Sequence, residues 1–302
     1  MKVGIALGSG ASRGWSHIGI LRALHEEGIT PEIVCGTSIG ALVGAAYATD
    51  HLDKLEDWVL KLTKLKLAQF FEINTSLNGF VNRDRLVELL DGHVAPKQCN
   101  IEDLPKQFAS ITTDLESGRE LWITEGSVLD AVWCSIALPG LFPAVKYQNK
   151  WVVDGGLVNP VPVSTCRALG ADVVIAVNLN GDLLTRPQPK PVQNAKASTR
   201  SSKASPVSKI TELVNYAGAV FSSKEDTEEA APSMFDVIAG SVNITQDRIT
   251  RSRMAGDPPD ILLSPRLANI GLLEFYRAEE AIDEGRACVK RMLPALQHAL
   301  GL

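Results

Sequence analysis

At 302 residues with 45% hydrophobic side chains, the chain is long enough to bury a full core. No run approaches the roughly 18 consecutive apolar residues of a membrane-spanning helix, and a net charge of −5 gives no electrostatic footing for nucleic acid. Five cysteines (Cys35, Cys99, Cys134, Cys166, Cys288) show neither CxxC nor metal-ligand spacing, and their odd number suits a reducing compartment, so no metal is expected.

The run from Met1 to Leu7 reads as a buried strand. It passes into Gly8, Ser9, Gly10, Ala11, Ser12, Arg13 and Gly14, after which Trp15 to Leu24 carries apolar residues at helical spacing. Such a glycine-rich strand-to-helix loop presents consecutive backbone N–H groups to an anion, either a nucleotide phosphate or the oxyanion of an acyl-transfer transition state. The nucleotide reading fits poorly: the dinucleotide fingerprint needs a third glycine where Arg13 stands, and the Lys-Ser/Thr ending of a P-loop is missing. The apolar run is also too brief, and too directly joined to the loop, for a secretory signal. The expected compartment is the cytoplasm.

Next comes a short apolar strand, Ile33 to Cys35, which turns through Gly36, Thr37, Ser38, Ile39 and Gly40 into an Ala/Gly-rich helix from Ala41 to Ala46. A Gly-x-Ser-x-Gly nucleophile elbow needs that context, because the sharp turn lifts the serine hydroxyl into the open while small neighbours let strand and helix approach. The bland alternative is a plain tight turn. A hydrolase triad of the usual order would place an acid and then a histidine downstream of the serine. Here His17 and His25 precede Ser38, His51 and His93 precede any acid motif, and His298 lies in a surface-helix pattern, so all five read as packing or surface residues.

Leu52 to Leu60 reads as a helix, and Gln69 to Phe80 as core or as the border of an acyl pocket. Phe108 to Asp114 and Glu120 to Thr124 read as adjacent strands, and Val128 to Ala137 as a helix ended by Leu138, Pro139 and Gly140. The β-rich run from Trp151 ends in Asp154, Gly155 and Gly156. This is either an Asp-Gly turn or a carboxylate aimed into a site by glycines that let the backbone turn hard. Ala171 to Asn178 is a further buried strand. Leu183 to Lys209 then carries six cations (Arg186, Lys190, Lys196, Arg200, Lys203, Lys209) and no acid, which reads as a linker. Ile210 to Phe221 places apolar residues on one helical face, suited either to packing on the core or to docking on anionic membrane. Phe235 to Met254 and Phe275 to Leu300 show helical spacing that finishes covering the sheet. Strands alternating with helices give one α/β domain with extensions.

Taken in order, the loop from Gly8 to Gly14, the elbow from Gly36 to Gly40 and the Asp154-Gly155-Gly156 run resemble the patatin-like phospholipase family. Within it, the likeness is to bacterial RssA-type members of the branch related to neuropathy target esterase. The resemblance covers about residue 3 to about 180 and continues through Arg251 to Leu262. It implies a three-layer α/β/α fold with a mostly parallel sheet, and with the composition change and helical spacing that follow it the chain is expected to divide into a core over 3–180, a basic linker with a short amphipathic helix over 181–233, and C-terminal helices over 234–302. It also implies a Ser-Asp dyad, with Ser38 as nucleophile and Asp154 as general base, and an oxyanion hole within Gly8, Ser9, Gly10, Ala11, Arg13 and Gly14. Where the family's loop reads Gly-Gly-Gly-x-Arg-Gly, this chain has Ser9 and Ala11 in place of two glycines, and a Cβ costs on the order of 1 kcal/mol wherever φ must be positive. Arg13 is expected to brace the loop rather than touch substrate. The activity implied is hydrolysis of lipid acyl esters without metal or cofactor, with a peripheral membrane surface as a further partner; the oligomeric state is left open. Two other readings stand beside it: a regulatory or scaffold protein that keeps the fold, favoured by the altered loop, and a transacylase, which would need a downstream His and Arg that the sequence does not offer.

Overall fold

The structure is a computed structural model and describes residues 1–67, 83–183 and 234–302. Eight strands form one sheet: β1 (Val3–Leu7), β2 (Ile33–Thr37), β3 (Gln107–Asp114), β4 (Glu120–Ile123), β5 (Val145–Tyr147), β6 (Lys150–Asp154), β7 (Val173–Val177) and β8 (Ile261–Leu263). The path runs β5-β6-β3-β2-β1-β7-β8, with β4 beside β3. The pairs β1–β2, β1–β7, β2–β3 and β7–β8 are parallel, while β4, β5 and β6 supply the antiparallel part.

The helices are α1 (Ser16–Glu26), α2 (Ile39–Ala48), α3 (Leu52–Val59), α4 (Arg83–Leu90), α5 (Val128–Ser135), α6 (Val163–Ala168), α7 (Met234–Gly256) and α8 (Ala278–Leu300). Side chains alternate across the central strands with period two, and this splits the core in two. Ile5, Leu7, Val34, Ile175 and Val177 face one side, packed with residues of α1, α2, α5 and α8. Ala6, Ile33, Cys35, Val174 and Ala176 face the other, with Val163 and Cys166 of α6. Covering on both faces is what a parallel sheet requires, and it accounts for the unbroken apolar runs of β1, β2 and β7.

Against α1, helix α8 packs at backbone distance. A Cβ on Gly19 would lie 1.9 Å from the Ile282 carbonyl oxygen, and one on Gly285 would lie 2.1 Å from that of Ser16. The expected elements from Met1 to Asn178 appear with shifted ends, as helix and strand termini do. Trp15 belongs to a 3₁₀ turn (Ala11–Trp15) that precedes α1, and Phe275 precedes α8, its ring lying edge-on to Trp15 with centroids 5.8 Å apart. The basic segment and its amphipathic stretch, like Gln69 to Phe80, lie outside the described residues. No helix among the described residues is long and apolar enough to cross a membrane.

Candidate active site

Strand register brings Ser38 and Asp154 together. Over residues 107–111, β3 pairs with β2; over 112–114 it pairs with β6. The β4 pairing spans 110–113 and overlaps both, so β2 and β6 share the opposite edge of β3 and meet end to end. The parallel strand arrives at Thr37, opposite Ile111, and the antiparallel one arrives at Asp154, opposite Thr112. The residue after one strand thus faces the last residue of the other. Ser38 Oγ donates to Asp154 Oδ2 at 2.6 Å.

Ser38 sits at φ 57, ψ −123, a sparsely populated conformation for a residue with a side chain. Holding it costs about 1–3 kcal/mol, which the surroundings must over-determine. They do so through close approach. A Cβ on Gly36 would fall 2.5 Å from the Ala41 amide nitrogen and would push the start of α2 away, and one on Gly40 would fall 2.1 Å from the Leu7 carbonyl oxygen and would force the elbow off β1. The Ser38 amide donates to Ser135 Oγ at 2.8 Å, and that hydroxyl in turn donates to the Ile111 carbonyl at 2.5 Å. Nothing in the sequence separates Ser135 from other small residues of a buried helix. Its role exists only because α5 ends beside the elbow.

Asp154 is 1% exposed. Burial pushes its carboxyl up to about 6, against the lowering pull of the Ser38 hydroxyl and of the Gly156 amide, which donates to Oδ1 at 2.7 Å. The backbone after it forms a short 3₁₀ turn (Gly155–Leu157), and neither glycine has positive φ. The expectation of a hard glycine turn is therefore replaced by one of space: a Gly155 Cβ would lie 2.2 Å from the Ile111 carbonyl oxygen. The chain reverses instead at Gln148 and Asn149, both at positive φ between β5 and β6.

The glycine loop lies beside the elbow because β1 and β2 are neighbours, Leu7 opposite Gly36. Most of its amides are engaged: Gly8 donates to the Val177 carbonyl, Ser9 to that of Pro160, Ser12 to that of Leu272 and Arg13 to that of Gly10. The amides of Gly10 and Ala11 donate to no acceptor among the described residues, nor does that of Ile39 in the first turn of α2. Ile39 also stands at the positive end of the α2 dipole. Gly10 and Ala11 lie in the glycine loop beside the elbow, and Ile39 directly follows Ser38. Of the two replaced glycines, Ala11 holds positive φ, at 49°, and Ser9 does not. Gly14 serves contact, since its Cβ would strike the Ile39 side chain at 2.2 Å.

Arg13 is fully buried and braces the loop, donating from Nε to the Gly10 carbonyl at 3.2 Å and from a terminal nitrogen to Asn243 Oδ1 at 2.9 Å. Burial lowers its pKa to about 10, and no carboxylate pairs with it among the described residues. His17, also buried, donates from Nε2 to the Gly8 carbonyl at 2.8 Å, and burial pulls its pKa down to about 4. It is a neutral brace. His298 is exposed on the last turn of α8, and none of the five cysteines forms a disulfide. Among the described residues no cluster of His, Cys, Asp or Glu is arranged to hold a metal ion.

A three-layer α/β sheet that sets a strained serine against a buried carboxylate at the carboxyl ends of its strands defines a serine hydrolase class. Comparison with known proteins narrows it. The family model for patatin-like phospholipase matches residues 5–167, more than half of the chain. The chain belongs to the patatin-like phospholipase family, a family of lipid ester hydrolases. An uncharacterized NTE family protein of Mycobacterium bovis is 28% identical over 339 aligned positions, covering 98% of this chain and 92% of its own. Lysophospholipase NTE1 of Pyricularia oryzae is 29% identical over 293 positions, covering 94% of this chain and 18% of its own. Human patatin-like phospholipase domain-containing protein 6 is 29% identical over 184 positions, 59% of this chain and 13% of its own. Among solved structures, VipD from Legionella pneumophila covers 97% of this chain and 67% of its own, with 12% identity and a TM-score of 0.46.

Proposed function

We propose that the protein hydrolyses fatty-acyl esters of phospholipids, lysophospholipids or related lipids through an acyl-Ser38 intermediate, with Asp154 as general base. One observation carries this reading: the 2.6 Å hydrogen bond from Ser38 Oγ to a buried carboxylate whose pKa lies near 6. A carboxylate at its ordinary value of about 4 is a weak base near neutral pH, and burial brings this one closer to the working range. Even so, the serine hydroxyl is far less acidic. Proton transfer to Asp154 is therefore concerted with attack of Oγ on the ester carbonyl carbon. The carbonyl oxygen becomes an oxyanion, received by the amides of Gly10, Ala11 and Ile39, which have no other acceptor among the described residues, and by the positive end of α2. Collapse breaks the ester C–O bond, and the proton on Asp154 passes to the departing alcohol oxygen. Water then attacks the acyl-serine, losing a proton to Asp154, and Ser38 recovers that proton as the fatty acid leaves.

The names of the relatives support a lipid substrate, and lysophospholipase is the activity that one of them carries in its name. The basic stretch from Leu183 to Lys209 supports approach to anionic membrane. A specific observation favours the regulatory reading as well: an alanine at φ 49° in the oxyanion loop, where glycine is unstrained.

The test is covalent labelling with a fluorophosphonate probe, followed by a panel of lipid and short-chain esters. Wild type labels and turns over ester; Ser38→Ala folds, takes no label and loses on the order of 10³-fold or more in kcat. Label that persists in Ser38→Ala removes this serine from the mechanism. A wild type inert to probe and to every ester gives the regulatory reading precedence.

A further inference from the structure

Helix α7 lies beyond the part of the chain that the family model matches, yet it reaches both loops of the candidate site. Gln246, on its buried side, accepts at Oε1 from Ser9 Oγ at 3.0 Å and from Asn180 Nδ2 at 3.1 Å. Ser9 opens the oxyanion loop and is one of the two residues standing where the family has glycine. Asn180 follows β7, whose Val177 carbonyl receives the Gly8 amide. At its other end, the Gln246 amide borders the acid loop: Nε2 lies 2.4 Å and Asp154 Oδ1 lies 3.0 Å from where a Gly156 Cβ would be. All three polar residues are buried, at 5% exposure for Gln246, 2% for Ser9 and 1% for Asn180. One turn earlier on the same helix, Asn243 accepts from Arg13, the brace of the Gly10 carbonyl.

We infer that Gln246 is a positioning residue that fixes the oxyanion loop relative to Asp154. The inference rests on the hydrolase reading and adds α7 to the working parts of the site. The chemistry at Ser9 explains the need. A glycine there would ask nothing of its neighbours, whereas a buried hydroxyl must find an acceptor or lose its hydration uncompensated. Gln246 meets that demand and, by accepting a second bond from Asn180, converts it into a cross-link between the ends of β1 and β7. Because the same side chain fills the space beside Gly156, a displacement of the oxyanion loop is felt at the carboxylate. The loop amides bind the developing oxyanion and not the ground-state ester, so loss of the link shows in kcat far more than in KM.

Two variants and a control test this in the full chain, with a soluble short-chain ester and the fluorophosphonate probe. Gln246→Leu keeps the bulk and removes the acceptor; kcat and labelling rate fall about tenfold or more with KM within about twofold, and adding Ser9→Gly, which removes the stranded hydroxyl, restores part of the loss. Gln246→Glu keeps both accepted bonds and brings a second carboxylate beside Asp154, so the acid limb of the pH–rate profile moves up by about one unit, which burial or packing alone would not do. Arg248→Gln, on the exposed side of the same helix, leaves rate and profile unchanged. An active wild type whose rate and pH profile are indifferent to both Gln246 variants overturns the inference and leaves the hydrolase reading standing; a wild type inert to probe and ester overturns both.

Discussion

At Asp154, the proposed base, burial should give a pH dependence of stability. Its carboxyl is raised from 3.8 to about 6, so the folded chain holds that proton more tightly than the unfolded chain does. The corresponding stability is fully present below about pH 4 and is lost as pH rises through about 6, roughly 3 kcal/mol in all. His17 works in the opposite sense: with its pKa depressed to about 4, its contribution is present above about 6.5 and is lost as pH falls through about 4. Wild-type melting alone therefore mixes the two, and a difference separates them. Asp154→Asn should lose ester turnover while melting at least as high as wild type at pH 8, and its advantage should shrink toward zero at pH 4. A variant less stable than wild type at pH 8 would show that the carboxylate is not the burden its burial implies. In wild type the acid limb of kcat/KM should fall with an apparent pKa near 6, that of the group that accepts the proton. Ala11 offers a second measurement at this scale: Ala11→Gly relieves the left-handed alanine and should raise stability by up to about 1 kcal/mol in urea unfolding. A loss of stability in that variant would mean that the alanine conformation is not strained.

Between elements, the decisive contacts are those in which glycine lets backbones touch. The pairing of α1 with α8 is the clearest, since the virtual Cβ atoms of Gly19 and Gly285 each fall within about 2 Å of a carbonyl oxygen on the partner helix. A backbone carbonyl cannot rotate aside as a side chain can. Gly285→Val should therefore reach the upper end of overpacking costs, about 3 kcal/mol or more, read as a fall in the urea midpoint. A change below about 0.5 kcal/mol would mean that the helices separate freely. Because α1 follows the glycine loop directly, the same variant should slow probe labelling at temperatures where the protein is still folded.

For the whole molecule, the proposed function would bring the site to a lipid surface. Residues 184–233 lie outside the described residues, but their charge is plain in the sequence, where six cations and no acid fall between Leu183 and Lys209. The protein should bind vesicles containing anionic phospholipid more tightly than neutral ones, and binding should weaken as salt rises from low to physiological strength. Removing the segment should lower activity on vesicles more than activity on a soluble short-chain ester. Equal binding to neutral and anionic vesicles, insensitive to salt, would leave the segment as a connector.

Local pattern was enough to single out Ser38, and the three short runs taken in order, through the family they resemble, added Asp154. A strand, a Gly-x-Ser-x-Gly turn and a small-residue helix specify the elbow within a few residues, and the loops at Gly8 and Asp154 are equally compact. The doubly covered strands β1, β2 and β7 announced themselves as unbroken apolar runs, and the longer helices by their period. The three-residue strands β5 and β8 and the six-residue helix α6 carry too few residues to show a period, and they exist because a sheet edge or face was there to receive them. Ser135, Asn180, Asn243 and Gln246 are invisible in the same way: each is an ordinary polar residue whose partner lies far along the chain. That Ser38 and Asp154 touch was likewise a decision of the tertiary structure. It follows from β2 and β6 sharing one edge of β3 from opposite directions, a register set by long-range strand pairing and burial rather than by either motif.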